Sequence, residues 1–300
     1  MEKVLVTGGA GFIGSYVVRA LLDAGYDVRV FDSFVSGKQE NVPCEAECIK
    51  GDIRDIEALT AAMDGVTDVV HLAALVSVAE SMEVPLETHA VNVTGTANVC
   101  EASRKQGIGR LVYASSAAVY GDEPTLPKSE DASLAPKSPY ALSKFLDEEI
   151  AQGYARIYGL SCVGLRFFNV YGKGQEGNHP YASVIPKWLA SAEKGEVCRV
   201  FGDGSQTRDF IEVRDVAAAV LAALKSAASG VCNIASGKET SLSELQRLME
   251  KSFSGTIRFE QVPPREGDIV RSVADVTRAK EELGFVASIP LEEGIAKLCV

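Results

Sequence analysis

Lys3-Val4-Leu5-Val6-Thr7-Gly8-Gly9-Ala10-Gly11-Phe12-Ile13-Gly14 is the stretch on which the fold turns. A short apolar run, Lys3 to Thr7, meets a cluster of glycines. Phe12, Ile13, Val17, Val18, Leu21 and Leu22 then follow at helical spacing, and Gly25 supplies a stop. The turn satisfies Gly-x-Gly-x-x-Gly through Gly9, Gly11 and Gly14, and Gly-x-x-Gly-x-x-Gly through Gly8, Gly11 and Gly14. Such glycines allow a tight turn and let backbone amides approach a pyrophosphate at a helix N-terminus. The pattern alone also fits an ordinary strand-to-helix turn. Here Asp32 closes the next alternating stretch, Asp27 to Asp32, where a dinucleotide ribose would lie. Its carboxylate can accept bonds from both ribose hydroxyls and would repel a 2′-phosphate, which favours NAD over NADP. Asp52, in Gly51-Asp52-Ile53, reads either as a partner of the adenine amino group or as a helix cap.

Outward from that turn the rhythm continues. Glu47 to Lys50, Asp68 to Ala73, Arg110 to Ser115 and Ser161 to Phe168 read as strands, with helical stretches near 54–64, 86–106 and 139–158. Strands alternating with helices imply an α/β fold, a doubly wound, Rossmann-like parallel sheet covered on both faces. After residue 170 the rhythm breaks into a Gly-, Asn- and Tyr-rich loop at 171–183. Val213 to Leu224 (helix) and Val231 to Ala235 (strand) bring the chain back to the main sheet. The expected division is an NAD-binding domain of 1–170 plus about 210–237. A smaller, interleaved substrate-binding α/β cap takes about 171–209 plus 238–300.

Three hundred residues, 46% hydrophobic and 24% charged, suit one large or two small soluble domains. No apolar run approaches the ~18 residues of a membrane span, and the first residues are too briefly apolar for a signal peptide. A net charge of −11 leaves no basic footprint for nucleic acid or anionic lipid. Cysteines 44, 48, 100, 162, 198, 232 and 299 are odd in number and scattered, without Cys-x-x-Cys. They read as thiols in a reducing cytoplasm rather than as a disulfide framework or zinc site. His71, His89 and His179 have no helical pairing, so no metal is expected.

The chemistry points to Ser138-Pro139-Tyr140-Ala141-Leu142-Ser143-Lys144, a helix start with Pro139 in its first turn. Tyr140 and Lys144, four apart, share a face. A neighbouring ammonium favours phenolate, so this tyrosine can serve as general base toward a sugar hydroxyl. In Leu111-Val112-Tyr113-Ala114-Ser115-Ser116-Ala117-Ala118-Val119-Tyr120-Gly121 a strand ends in serines, on the edge where a parallel sheet faces its cofactor.

With these residues in place the chain resembles the extended short-chain dehydrogenase/reductase family, and within it the NDP-sugar epimerases, over essentially its whole length. The glycine turn, Asp32, His71-Leu72-Ala73-Ala74, Asn92-Val93-Thr94-Gly95-Thr96, the serine strand, Tyr140 with Lys144, and Arg166-Phe167-Phe168-Asn169-Val170-Tyr171-Gly172 occur in family order. The resemblance implies that Tyr140 accepts and donates the proton, Lys144 lowers its pKa and bonds the nicotinamide ribose, and Ser116 bonds the reacting oxygen. It implies NAD contacts at Gly8, Gly11, Phe12, Ile13, Gly14, Asp32, Asp52, Ile53, Leu72, Ala73, Ala74, Asn92, Tyr140, Lys144 and Phe168. It places the sugar nucleotide at Ser115, Ser116, Asn169, Val184, Val200, Phe201, Arg208, Arg265, Asp268 and Ser272. Arg208, Arg265 and Asp268 match a clamp on pyrophosphate and ribose, the guanidiniums supplying charge-assisted bonds.

The resemblance also separates subclasses. Related 4,6-dehydratases carry an Asp-Glu pair where this chain has Ala117 and Ala118, and related decarboxylases a glutamate there. Without an acid for elimination, oxidation and re-reduction at C4 remains, so the resemblance implies an NAD-dependent 4-epimerase of UDP-hexoses. Ser272 sits at a gatekeeper place where a small residue admits 2-acetamido sugars; it also reads as a buried serine in a wide loop. A uronate-specific epimerase resembles the chain as well, but would have threonine at Asn169 and arginine near Glu176. A reductase or dehydrogenase with net redox turnover is the other alternative. Family members commonly form homodimers through the helices near 86–106 and 139–158.

Overall fold

The computed structural model describes residues 2–178, 182–264 and 269–299. Strand and helix alternate through the first half: β1 (Lys3–Thr7), α1 (Phe12–Asp23), β2 (Asp27–Asp32), β3 (Glu47–Lys50), α2 (Ile56–Ala62), β4 (Asp68–His71), α3 (Val78–Glu83), α4 (Pro85–His89), α5 (Gly95–Gln106), β5 (Arg110–Ser116), α6 (Pro139–Tyr158) and β6 (Cys162–Phe167). The second half runs β7 (Asn169–Tyr171), α7 (Val184–Glu193), β8 (Val197–Phe201), β9 (Thr207–Glu212), α8 (Val213–Lys225), β10 (Gly230–Ile234), β11 (Glu239–Ser241), α9 (Leu242–Ser252), β12 (Arg258–Val262), α10 (Thr277–Leu283) and α11 (Leu291–Leu298).

Seven strands form one parallel sheet in the order β3-β2-β1-β4-β5-β6-β10. The order reverses between β1 and β4, and there a crevice opens beyond the carboxyl ends of the strands. Both faces of the sheet are buried, so its strands are nearly continuous apolar runs. Side chains alternate between two cores. Val4, Val6, Val70 and Val112 pack with α1 and α8, while Leu5, Val69 and Leu111 pack with α2, α5 and α6. The cap joins β7, β9 and β11 in a small mixed sheet and pairs β8 with β12. Its own core holds Trp188, Phe210, Leu245, Met249 and Ile295.

The doubly wound fold agrees with the sequence reading, and β10 does return to the main sheet beside β6. Three boundaries differ. The strand expected to reach Ala73 ends at His71. The helical stretch near 86–106 is α4, a π turn at Ala90–Thr94, then α5. Residues 277–285, expected with the cap, send Ala279, Leu283 and Phe285 into the core of the main sheet.

One buried ion pair ties the layers together. Arg166 of β6 donates to both carboxylate oxygens of Glu148 on α6, at 2.9 and 2.8 Å. Ser115 of β5 donates to the same carboxylate at 2.5 Å. Arg166 also donates to the Tyr120 hydroxyl at 2.8 Å and the Glu130 carbonyl at 3.1 Å. Replacing Arg166 with Met strands a buried carboxylate, which should cost about 3–5 kcal/mol. Urea unfolding at neutral pH reads this as a lower midpoint; an unchanged midpoint would refute the assignment.

Candidate active site

The glycine turn is shaped by what it cannot hold. Gly8 has a left-handed φ of 73°, and a Cβ there would lie 2.6 Å from the Ala73 nitrogen. A Cβ on Gly14 would lie 2.1 Å from the Gly8 carbonyl oxygen. The turn after β1 and the segment after β4 therefore touch, which locates the switch-point crevice at Gly8 and Leu72-Ala73-Ala74. Gly11 caps α1 without a side-chain bond, and the first turn of the helix carries no acidic residue. Its N–H groups are thus left for an anion. Asp32, 7% exposed at the end of β2, accepts from the Ala10 N–H at 3.0 Å and the Phe34 N–H at 2.8 Å. Each oxygen keeps a further acceptor site for a ribose hydroxyl. These features fit a dinucleotide: a close-approach turn, an uncapped helix start and a fixed carboxylate.

The neighbouring positions divide. Arg54 pairs with Asp52 at 2.6 Å and holds its carboxyl below the usual range. The cap of α2 is Asp55 instead. The Ile53 side chain lies in the core, where a Cβ on Gly95 would strike it. Asn92 is fully buried in the π turn with both donors used: it accepts from the Leu75 N–H and donates to the Leu75 carbonyl and the Ser143 hydroxyl. It fastens the segment after Ala74 to α6. A π turn at such a place gives one side chain an orientation that a regular helix would not.

Tyr140 and Lys144 lie in the first turns of α6, whose cap is Ser138 with Pro139 following. The backbone of Tyr140 is held by the buried Ser81 hydroxyl at 3.1 Å. Lys144 is buried, and its ammonium donates to the Ala114 carbonyl at 3.1 Å and to Asp147 at 3.0 Å. Burial pushes its pKa down, but Asp147 and Tyr140 more than offset this, leaving it above the ordinary value. The lysine is a fixed cation beside the tyrosine. Asp147, not singled out from the sequence, is the addition here; its spacing of three from Lys144 was the available signal.

The two serines at the end of β5 point apart, as successive strand residues do. Ser115 was expected at the sugar, but it is buried and committed to Glu148. Ser116 is half-buried and accepts from the Ala118 N–H at 3.2 Å, which leaves its proton free to reach a substrate oxygen. Phe168 packs under the site against Tyr120, Ala235 and Ala274, and Asn169 begins β7, half-buried.

On the cap side, Val200 is turned into the cap core, whereas Phe201 and Val184 are half-buried. Arg208 donates to the carbonyls of Thr207 and Ile269, so this guanidinium braces the 269–274 segment. Arg265 and Asp268 lie outside the described residues. Ser272 is buried, 9% exposed. Around it Lys128 bridges Val273 and Asp275, and Asp209 accepts from the Ala274 N–H. Glu176 is exposed and pairs with Lys38 at 3.5 Å. No helix among the described residues is long and apolar enough to cross a membrane.

The profile of the NAD dependent epimerase/dehydratase family matches residues 4–235. The UDP-glucose 4-epimerase of Mycolicibacterium smegmatis is 39% identical over 303 residues, covering 98% of this chain and 96% of that protein. The UDP-N-acetylglucosamine 4-epimerase of Methanobrevibacter ruminantium M1, solved with UDP-N-acetylmuramic acid, superposes with a TM-score of 0.95. It is 36% identical, over 99% of this chain and 96% of that one. The UDP-glucose 4-epimerase of Thermus thermophilus, solved with NAD, gives 0.91 at 37% identity, over 98% and 96% of the two chains. The chain belongs to the NAD dependent epimerase/dehydratase family. It is an enzyme of the epimerase type, and NAD is its cofactor.

His71 closes β4 between two threonines, Nδ1 at 2.7 Å from the Thr7 hydroxyl and Nε2 at 3.0 Å from that of Thr96. Burial, reinforced by the Lys144 charge, lowers its pKa to about 3. The folded protein therefore excludes a proton that the unfolded chain binds below about 6.5. The stability held by neutral His71 is complete above about pH 6.5 and is lost as pH falls toward 3. Within that window the imidazole should contribute about 1.4 kcal/mol of lost stability per pH unit. Urea melts of wild type and His71→Asn from pH 7 to 4.5 should converge as pH falls; parallel curves would count against it.

Proposed function

We propose that the enzyme interconverts UDP-hexoses at C4, UDP-glucose with UDP-galactose and also UDP-GlcNAc with UDP-GalNAc. The observation that carries this reading is the pairing of Tyr140 with a buried Lys144 ammonium that reaches the Ala114 carbonyl near the carboxyl end of β5, the strand that ends in Ser116 and is followed by Ala117 and Ala118 rather than by a carboxylate. Bound at the glycine turn and Asp32, NAD supplies reversible two-electron oxidation at the sugar carbon.

Tyr140 takes the C4 hydroxyl proton and later returns it, with Ser116 donating to the same oxygen and holding it in register. Lys144 stabilises the phenolate from which that cycle starts and to which it returns. Dehydration or decarboxylation would need a further acid, and the alanines after Ser116 provide none. The 4-keto sugar can then only be reduced again, on either face once it has turned. Names among the relatives support the UDP moiety and both the plain and the acetamido sugars. Ser272, a small side chain in a braced wall, supports the wider pocket.

The same reading makes the enzyme a homodimer. Leu86 of α4 and Leu142, Ile157 and Tyr158 of α6 are exposed on the helical layer expected to pair, while Val99 belongs to the core. Sedimentation of Leu142→Asp should give a monomer where wild type gives a dimer. The seven free cysteines suit a cytoplasmic setting.

The direct test is NMR of the purified enzyme with UDP-galactose, UDP-GalNAc and UDP-glucuronate in separate tubes, without added NAD. Conversion of the first two is expected. Turnover of UDP-glucuronate alone would overturn the reading. Tyr140→Phe should cut kcat by roughly 10²–10⁴. Ser272→Tyr should abolish conversion of UDP-GalNAc and spare that of UDP-galactose.

A further inference from the structure

Lys144 is balanced in an uncommon way. Its ammonium meets the Asp147 carboxylate at 3.0 Å, with the two side chains 4% and 1% exposed. Asp147 Oδ2 takes that bond, and the Thr96 hydroxyl of α5 is the carboxylate's other polar neighbour, with Oδ1 making no hydrogen bond of good geometry among the described residues. A buried pair held this loosely on one side is a poor source of stability, because two charges are desolvated and their attraction repays little of that cost. Nor can the pair serve as an exit for protons to solvent. Epimerisation returns the proton that it takes, so no exit is required.

Burial raises the Asp147 carboxyl above its ordinary value against the opposing pull of Lys144 and Thr96, and the other groups facing the pair supply little further compensating charge. His71 from β4 is neutral, its pKa lowered to about 3 by burial. Thr96 of α5 also faces the carboxylate, and its uncharged hydroxyl lies 3.0 Å from His71 Nε2. Burial holds the Cys100 thiol of α5 and the Tyr113 phenol of β5 above their ordinary values, so both are protonated. Glu148, the next residue on α6, is balanced by Arg166. Tyr140 is the remaining partner. A bare ammonium would pull hard on the phenol proton. An ammonium with a carboxylate 3.0 Å away acts on the phenol as one end of a dipole, whose field is weaker and falls off faster than that of a bare charge.

We propose that Asp147 is a positioning residue: it holds the Lys144 ammonium in place and partly cancels its charge, and so sets how readily Tyr140 gives up and takes back a proton. A base that must work in both directions is best served by an affinity near the working pH. Too strong a pull from Lys144 would leave a phenolate unwilling to accept the proton again. The inference rests on Tyr140 acting as the base, as read above, and not on which sugar enters.

The test is a spectrophotometric titration of the tyrosinate band in the NAD-loaded enzyme. The difference between each protein and its Tyr140→Phe counterpart isolates Tyr140. Asp147→Asn should lower the Tyr140 midpoint by about one pH unit or more, and Asp147→Glu should restore it. If the Asn variant does not fold, Asp147→Ser is titrated in its place. The acid limb of the kcat/KM profile with UDP-galactose should move the same way. A depressed midpoint that stays put when the carboxylate is removed overturns the role of Asp147 alone. A Tyr140 midpoint at about 10, the ordinary tyrosine value, in every protein overturns the base assignment with it. No sugar nucleotide enters the titration, so a mistaken substrate leaves its result readable.

Discussion

The bidentate contact between Glu148 and Arg166 is the constraint on which the rest of the molecule is hung. It is buried, so neither partner can be released without stranding the other. Through Ser115 it fixes the end of β5, and through the Tyr120 hydroxyl and the Glu130 carbonyl it reaches the strap that follows that strand. Tyr120 in turn donates to Asn233 on β10, whose amide reaches the carbonyls of Lys128 and Asp275. A single charge pair thus connects the helix that carries Tyr140 and Lys144 with the wall that carries Ser272. Helix and wall share one frame.

Much of this was written in local sequence. The glycine turn, the alternating strands and the Pro139 helix start are short-range signals, because they follow from backbone sterics and side-chain period alone. The sheet order then follows from the handedness of crossovers. What was not legible depends on which way a side chain faces at a place where the chain offers two choices. Ser115 and Ser116 are equivalent in sequence; only the Arg166-bound Glu148 decides which of them is consumed by the framework. Asp52 and Asp55 are both suitable caps, and the start of α2 chooses Asp55. Asp147 sits in a helix rich in charge, and its spacing of three from Lys144 is a signal shared by many exposed pairs, so burial alone distinguishes it. The return of 277–285 to the main core is a long-range event, visible only once Phe285 and Leu283 are seen beside β10 and α8.

The cofactor side and the cap differ in how they are built. Around the glycine turn, function is carried by backbone: missing Cβ atoms, an uncapped helix start and one carboxylate already oriented by two N–H groups. Such a site is preorganised whatever the neighbouring side chains do. The cap is built on strands whose own core is separate, and on the proposed reading its side chains meet the sugar nucleotide. The separate cores let the interior of the cap change without disturbing the cofactor turn, while the 272–275 wall stays tied to α6 through Asn233, Tyr120 and Arg166.

The braced segment at 272–275 is where that frame reaches the cap side. Lys128, Asp209 and Asn233 hold its backbone from three directions, and α10 anchors what comes after. A wall held so firmly does not adapt to its guest. On the proposed reading of Ser272, volume at that one position is then the variable, and it is a discrete one, written in a single codon. Serine and tyrosine codons can differ by one base, so the proposed switch between a narrow and a broad diet of sugars is one mutational step away. It requires no remodelled loop, and it is as easily reversed.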